Sequence, residues 1–317
     1  MNILAIESSC DEFSVAILKD GKVLSNIISS QIEQHKEYGG VVPELASRLH
    51  VQNFHWVLDE AIIEAGIKLE ELNYIVYTSN PGLIGSLIIG KIVAQTLAQY
   101  LKIPLLPLNH LHGHVYSAFI ENDIEFPAVA LITSGGHTEI ILMKDHLEFE
   151  TLGQTQDDAI GECFDKVAIK MGLTYPGGPA IDKIAKISNE SKYKIPKPRD
   201  INEYDFSFSG IKTGSINLLH KLKQSKTELD LNSFAYSFQK TCVEYVIEKL
   251  EKAVKKYEPK FVILGGGVSA NSMLRNKFQE MAKENKIKSI IPKHEYCTDN
   301  AAMMGMLGYR TIIKLRK

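Results

Sequence analysis

The chain has 317 residues, 44% of them apolar and 23% charged, with a net charge of −2. These values suit a folded protein of two lobes, since a single core rarely serves so long a chain. They exclude a uniformly basic nucleic-acid binder, so any RNA contact must use local patches. The four scattered cysteines (Cys10, Cys163, Cys242, Cys297) form no CxxC pair and point to a reducing compartment.

MNILAIESSCDE reaches Glu7 too early for a signal peptide, so a cytoplasmic protein is expected. NILAIESS and FSVAILK read as strands flanking a polar turn at Cys10–Glu12, and KVLSNIISS as a third strand. An amphipathic helix begins near Pro43, with Leu45, Leu49, Phe54, Leu58 and Ile62 on one stripe and the proline suited to its first turn. YIVYTS is a strand, followed by a Pro81-Gly82 turn, a helix from about Leu83 to Tyr100, and the strand IPLLPL. The charge-free run from Leu72 to Gly90 is split by Asn80-Pro81-Gly82 and reads as strand, turn and helix, not as a membrane span.

NHLHGHVYSAF then places His110 and His114 four apart, on one helical face and close enough to share a metal ion, with His112 pointing elsewhere. Leu111 stands where HExxH carries its glutamate, which argues against zincin-type peptide hydrolysis. Two satisfied histidines at a helix end are the alternative reading.

From Phe126 the pattern restarts. AVALITS and EIILMK flank Gly135-Gly136-His137, LEFETLG follows as a short strand, and later FVILGGG leads into the helix of SANSMLRNKFQEMAKE. The same order of strands and helices occurring twice predicts an α/β, actin-like or sugar-kinase (ASKHA) fold. Its two duplicated, ribonuclease-H-like lobes would face each other across a nucleotide cleft. A Rossmann enzyme is disfavoured because no GxGxxG follows the first strand. The expected division is residues 1–108 plus 300–317 for the first lobe, and 109–299 for the second, with the metal and nucleotide loops. The C-terminal helix from Asn300 to Arg316 is expected to pack back on the first lobe.

Four segments carry chemistry. SGGHT, Ser134 to Thr138, is a hairpin turn whose paired glycines let backbone N–H groups approach an anion, and its hydroxyls and His137 exceed what a plain turn needs. GGGVSAN, Gly265 to Asn271, ends a strand and opens a helix, a place where nucleotides bind. There Ser269 is a candidate cap, and Asn271 a candidate partner for a ligand hydroxyl. Asp165 sits at the edge of an apolar helix stripe in GECFDK, suited to ribose hydroxyls or to a solvated face. Asp299, in CTDN, is an N-cap or a metal ligand. Two histidines and one aspartate with open positions would suit Fe or Zn. Basic runs at Lys192–Arg199, Lys252–Lys260 and Arg310–Lys317 are solvated faces or RNA phosphate contacts.

The strings ESSCDE, HKEYGGVVPELASRLH, NPGLIGSL, NHLHGH, SGGHT, GECFDK, YPGGP, FSFSGIKT, GGGVSAN and CTDNAAM run nearly end to end. In that order they resemble the bacterial TsaD family, tRNA adenosine threonylcarbamoyltransferases once described as glycoproteases. The resemblance implies transfer of a threonylcarbamoyl group from threonylcarbamoyl-AMP, made by a separate synthase, to the adenosine beside the anticodon in tRNAs reading codons that start with A. It implies one divalent metal per subunit, Fe(2+) favoured and Zn(2+) possible, held by His110, His114 and Asp299, with adenylate or ATP in the cleft. The implied ligand-binding set is Ile132, Thr133, Ser134, Gly135, Gly136, Asp165, Gly178, Asp182 and Asn271. Asp11 or Glu12 would take the proton from the amine. Phe13 departs from the family, which commonly has a hydroxyl residue there.

The implied partners are tRNA, TsaB as a heterodimer mate and TsaE as an ATPase, with no membrane. Gly82, Gly85, Ser86 and Gly90 along the helix from Leu83, with the helix starting near Pro43, are expected to form the seam with TsaB, since glycines that cost helix stability suggest close packing against another helix. The competing classes are an actin-fold kinase, which brings its Mg with the nucleotide, and a metallopeptidase.

Overall fold

The computed structural model describes residues 1–198, 201–225 and 228–316, so Arg199 and Lys317, the ends of two basic runs, lie outside the described residues. The chain divides into two compact units, Met1–Asp123 with Pro292–Lys317, and Ile124–Ile291.

In the first unit β1 (Asn2–Glu7), β2 (Glu12–Lys19) and β3 (Lys22–Ser30) form an antiparallel meander. The short α1 (Ile32–Lys36) and long α2 (Pro43–Ala65) follow. Next come β4 (Tyr74–Asn80), α3 (Ile84–Leu101), β5 (Leu105–Asn109) and α4 (His110–Tyr116). β4 pairs parallel with β1, and β5 with β4, giving a sheet in the order β3-β2-β1-β4-β5.

The second unit repeats this plan. β6 (Ala128–Thr133), β7 (Thr138–Asp145) and β8 (Glu148–Gln154) are the meander. After them come α5 (Ile160–Met171), α6 (Gly177–Ala185), α7 (Ser209–Gln224), α8 (Leu231–Tyr257), β9 (Phe261–Gly265), α9 (Ser272–Glu284) and β10 (Lys288–Ile290). The order β8-β7-β6-β9-β10, with β9 parallel to β6, is the strand order of the first sheet. The α/β duplication of the actin-like class is therefore present in the backbone. α7 and α8 are the elements that the strand pattern gave no hint of.

The chain then returns to the first unit through the short α10 (His294–Cys297) and α11 (Ala301–Leu315). α11 packs on β1 and β2, and α4 packs on α11. This explains why the division falls at 123/124 and 291/292 instead of the expected 108/109 and 299/300. α4 has a buried partner, α11, in the first unit. His110, His114 and Asp299 therefore belong to the first unit, not to the second lobe as expected.

The amphipathic helix from Pro43 is present, but its buried face is Ala46, His50, Val57 and Ala61, and Leu45 and Leu49 are only half-buried. α3 is long and apolar enough to cross a membrane by length and composition. Here it lies on the sheet of the first unit with Val93, Ala94 and Ala98 buried.

Its small residues pack closely against neighbours in the same unit. A Cβ at Gly85 would overlap the Ser47 hydroxyl of α2, and one at Gly90 would overlap the Ser8 hydroxyl after β1. At Gly82 the Cβ would meet the Ser9 carbonyl at 2.5 Å. In the second unit Gly266 has φ +85° and sits against the Thr133 backbone carbonyl. Gly266→Ala should combine left-handed strain with a backbone clash. Loss of about 1–3 kcal/mol is expected, read as a lowered urea midpoint at unchanged m-value.

Candidate functional site

The functional turns of the first unit lie at the carboxyl ends of its three parallel strands. β1 runs into Ser8–Asp11, β4 into Pro81-Gly82, and β5 into α4. Asn109 ends β5 and caps α4, its side-chain oxygen accepting the N–H groups of Leu111 and His112. The helix thus starts at His110, and the four-residue spacing places the rings of His110 and His114 4.6 Å apart, edge to face.

Asp299 reaches both from the other end of the chain. Its Oδ1 lies 3.1 Å from His114 Nε2 and 3.5 Å from His110 Nε2, and the Ser9 hydroxyl donates to its Oδ2 at 3.4 Å. One donor atom from each of His110, His114 and Asp299 lies within 4.8 Å of the others. Asp299 does not cap α11. Asn300 does, accepting the Met303 N–H. With the capping role taken by its neighbour, the metal-ligand reading of Asp299 is the one the geometry favours. His112 is not part of the group, and burial lowers its pKa to about 4.

The charges are crowded. Burial pulls the His110 imidazole down, but the Glu7 and Asp299 carboxylates override it and raise its pKa to about 9. Burial likewise opposes ionisation of Asp299, yet His110, His114 and Ser9 hold its carboxyl well below the usual range. Glu12 goes the other way. Burial pushes its carboxyl well above the usual range, and the carboxylates of Asp11, Asp299 and Glu7 add to that. Asp11 is 7% exposed and Glu12 half-buried, so the acidic turn is held against the donor cluster and not in open solvent. Phe13 of β2, the departure from the family, is fully buried in the apolar core, with its ring 5.5 Å from that of His50.

A buried polar chain under this turn escaped the sequence reading. Gln31 N–H donates to the Asp11 carbonyl at 3.1 Å. The Gln31 amide nitrogen lies 2.7 Å from His50 Nδ1, and its oxygen 3.4 Å from His35 Nε2, while His35 Nδ1 accepts the Val42 N–H. Each link sets the tautomer of the next, and the chain braces the backbone at Asp11. The signal was available in HKEYGGVVPELASRLH, but two histidines fifteen residues apart match no local template.

The second unit holds the remaining residues. Ile132 and Thr133 end β6 and are buried, with the Thr133 hydroxyl donating to the Gly265 carbonyl. Ser134 and His137 close the turn through two hydrogen bonds, N–H to carbonyl at 2.8 Å and N–H to hydroxyl at 3.1 Å. Gly135 and Gly136 are exposed, and a Cβ on either meets open space. The fold itself does not demand glycine at these two positions. Beneath them Gly161 of α5 lies against the Ser134 carbonyl and Gly135, where a Cβ would clash.

Asp165 accepts the Gly177 N–H at 2.7 Å, joining GECFDK to YPGGP. Gly177 is pressed against Asp165 and Ala168, whereas Gly178 is open. Asp182 and Asn271 are brought together by a residue that no motif pointed to. Gln239 of α8, 1% exposed, donates to Asp182 Oδ1 at 3.2 Å and accepts from the Asn271 amide at 2.9 Å. Asn271, not Ser269, caps α9. The Ser272 hydroxyl also donates to Asp182, and Lys186 pairs with its other oxygen.

The family model of TsaD, tRNA N6-adenosine threonylcarbamoyltransferase, matches residues 22–306. The chain belongs to the TsaD family. It is 52% identical to the tRNA N6-adenosine threonylcarbamoyltransferase of Mycoplasma capricolum over the full length of both chains. It is 47% identical to the Staphylococcus aureus protein of that name, covering 97% of this chain and 90% of that one. Among solved structures, T. kodakarensis HypF superposes with a TM-score of 0.68 at 14% identity, covering 99% of this chain and 48% of HypF, a likeness of fold alone.

Gln239→Leu should leave the Asn271 amide and an Asp182 oxygen short of a partner in a buried place. Destabilisation of about 1–3 kcal/mol is expected from urea unfolding, with the midpoint falling.

Proposed function

We propose that this TsaD family member transfers the threonylcarbamoyl group from threonylcarbamoyl-AMP to the N6 amine of the adenosine beside the anticodon, in tRNAs that read codons starting with A. The observation that carries this reading is full-length similarity, at about half identity, to chains named for that reaction. The donor set of two imidazoles and a carboxylate fits one divalent ion, because one donor atom from each lies within 4.8 Å of the others and both Nε2 atoms face one Asp299 oxygen. Fe(2+) is favoured and Zn(2+) is second, with His110, His114 and Asp299 as ligands and open positions left. Bound there, the ion supplies Lewis-acid polarisation and orientation.

The chain's own residues supply the rest. The amine is a weak nucleophile, so a carboxylate with a raised pKa beside it is the fitting proton acceptor, and Glu12 is that group, with Asp11 beside it. The open Gly135-Gly136 turn offers backbone N–H groups to the adenylate phosphate, with Ile132 to Ser134 forming its wall. Asp165, Gly178, Asp182 and Asn271 complete the adenylate or ATP contacts. Holding the reacting groups together is worth about 7–11 kcal/mol at best. The protein acts in the cytoplasm, on tRNA.

The partner reading moves to a different face of α3. Ile84, Ile88 and Ile92 recur every four residues and are 78%, 47% and 52% exposed, a stripe that nothing in the first unit covers among the described residues. TsaB is the partner proposed for it, with TsaE as the ATPase of the assembly.

Three experiments test these assignments. In a modification assay with threonylcarbamoyl-AMP and unmodified tRNA, His114→Ala should lose most metal by elemental analysis and most product, with circular dichroism unchanged. Gly136→Val should weaken adenylate binding strongly and tRNA binding little; equal loss of both would indicate misfolding and defeat the phosphate-turn assignment. Separately, Ile88→Glu should abolish co-elution with TsaB while the subunit stays folded. Normal co-elution would place the seam elsewhere.

A further inference from the structure

Glu7, the last residue of β1, is fully buried and belongs to none of the assigned sets. Three groups converge on its carboxylate. The Ser9 N–H donates to Oε1 at 2.6 Å, the Thr78 hydroxyl donates to Oε2, and His110 Nδ1 lies 3.1 Å from Oε2. A backbone N–H can only donate, and an ionised carboxylate can only accept. The arrangement closes only if His110 carries a proton on Nδ1, whatever the state of its other nitrogen. Nε2 of the same ring is then the atom aimed at Asp299, on the side where His114 Nε2 also lies.

We propose that Glu7 is a positioning residue for the metal site, selecting the His110 orientation that presents Nε2 as the ligand atom. The proposal rests on the metal reading of His110, His114 and Asp299. A carboxylate that receives the far N–H of a ligating imidazole orients the ring and raises its basicity, and removing such a partner typically weakens metal binding 10–100-fold. The framework here is stiff for that purpose. β1 is the centre of the sheet, paired with β2 on one side and β4 on the other, and Thr78 comes from the β4 side. The carboxylate is thus clamped from its own strand end and its neighbour before it meets the imidazole. An ordinary buried ion pair would also use Glu7 and His110, but it would have no reason to affect ligand atoms on the far side of the ring.

The test uses Co(2+) as the metal probe on purified, metal-stripped full-length protein, following the visible absorption band and the dissociation constant. Glu7→Gln is nearly isosteric but replaces one acceptor oxygen by a donor, so it cannot serve both Ser9 N–H and His110. Co(2+) affinity should fall at least tenfold and the band should shift. In the double variant with His110→Ala, Glu7→Gln should cause no further loss, because its effect travels through that ring. Glu7→Asp, which keeps the charge but shortens the reach, should lose less than Glu7→Gln. It also keeps the test available should Glu7→Gln fail to fold.

Unchanged Co(2+) affinity in a folded Glu7→Gln, or losses that add in the double variant, would overturn the proposal. If instead the unmodified protein bound no stoichiometric Co(2+), or His114→Ala kept it all, the metal reading itself would fall.

Discussion

Docking of α11 on the first sheet is the contact on which both the fold of that unit and its donor cluster depend, because it brings residues from opposite ends of the chain into one packed layer. The Ser14 hydroxyl accepts the Ala301 N–H at 2.9 Å, and the Asn26 amide oxygen accepts the Ala302 N–H at 3.1 Å. With the Asn300 cap, these bonds satisfy N–H groups that a helix start leaves without intrahelical partners. Gly305 and Gly308 let the helix sink onto Leu18 and Val76, where side chains would clash, and Gly113 of α4 makes room for Met304. Asp299 is therefore placed by backbone hydrogen bonds and close packing on its own side of the cluster, and His110 and His114 by the cap at Asn109 on theirs.

That placement has an electrostatic cost which the site turns to use. Glu7, Glu12 and Asp299 lie close enough to influence one another, and burial strengthens every interaction among them. Where an imidazole is at hand, as for Glu7 and Asp299, the carboxyl is held in its charged form. Glu12 has like charges for neighbours and is pushed toward proton uptake. The same few residues thus favour the charged form of Asp299 and the neutral form of Glu12, set apart by which neighbour each one touches.

Much of this was legible from residue order. The four-residue spacing of His110 and His114, the Gly-Gly turn after β6, the Gly-rich strand end before α9 and the duplicated strand pattern all recur in space, because helical and strand periods leave local traces. What escaped was non-local. A run of small residues on α3 signals close packing but not the partner, and Ser8, Ser9 and Ser47 of the same unit proved to be the neighbours. Asp299 and Asn300 are adjacent and equally suited to capping, and only their contacts separate them, Asn300 meeting the Met303 N–H and Asp299 the two imidazoles. Gln239 and Gln31 sit singly on or beside helices, with no period to mark them, and each takes its meaning from a partner well removed in sequence, Asp182 and Asn271 for Gln239 and His50 for Gln31. The domain boundary was misplaced for the same reason, since the affinity of α4 for α11 is not written in either helix alone.

The order in which the cluster is assembled follows from its spacing along the chain. His114 and Asp299 are 185 residues apart. At a synthesis rate of about 5–20 residues per second, the ribosome takes roughly 10–40 s to pass from one to the other. Throughout that interval α11 is not yet made, so it cannot cover the faces of Leu18 and Val76 that it packs on in the folded unit. The second unit, whose residues are contiguous, can complete itself within the same window. The three donors of this cluster can come together only after translation has passed residue 299.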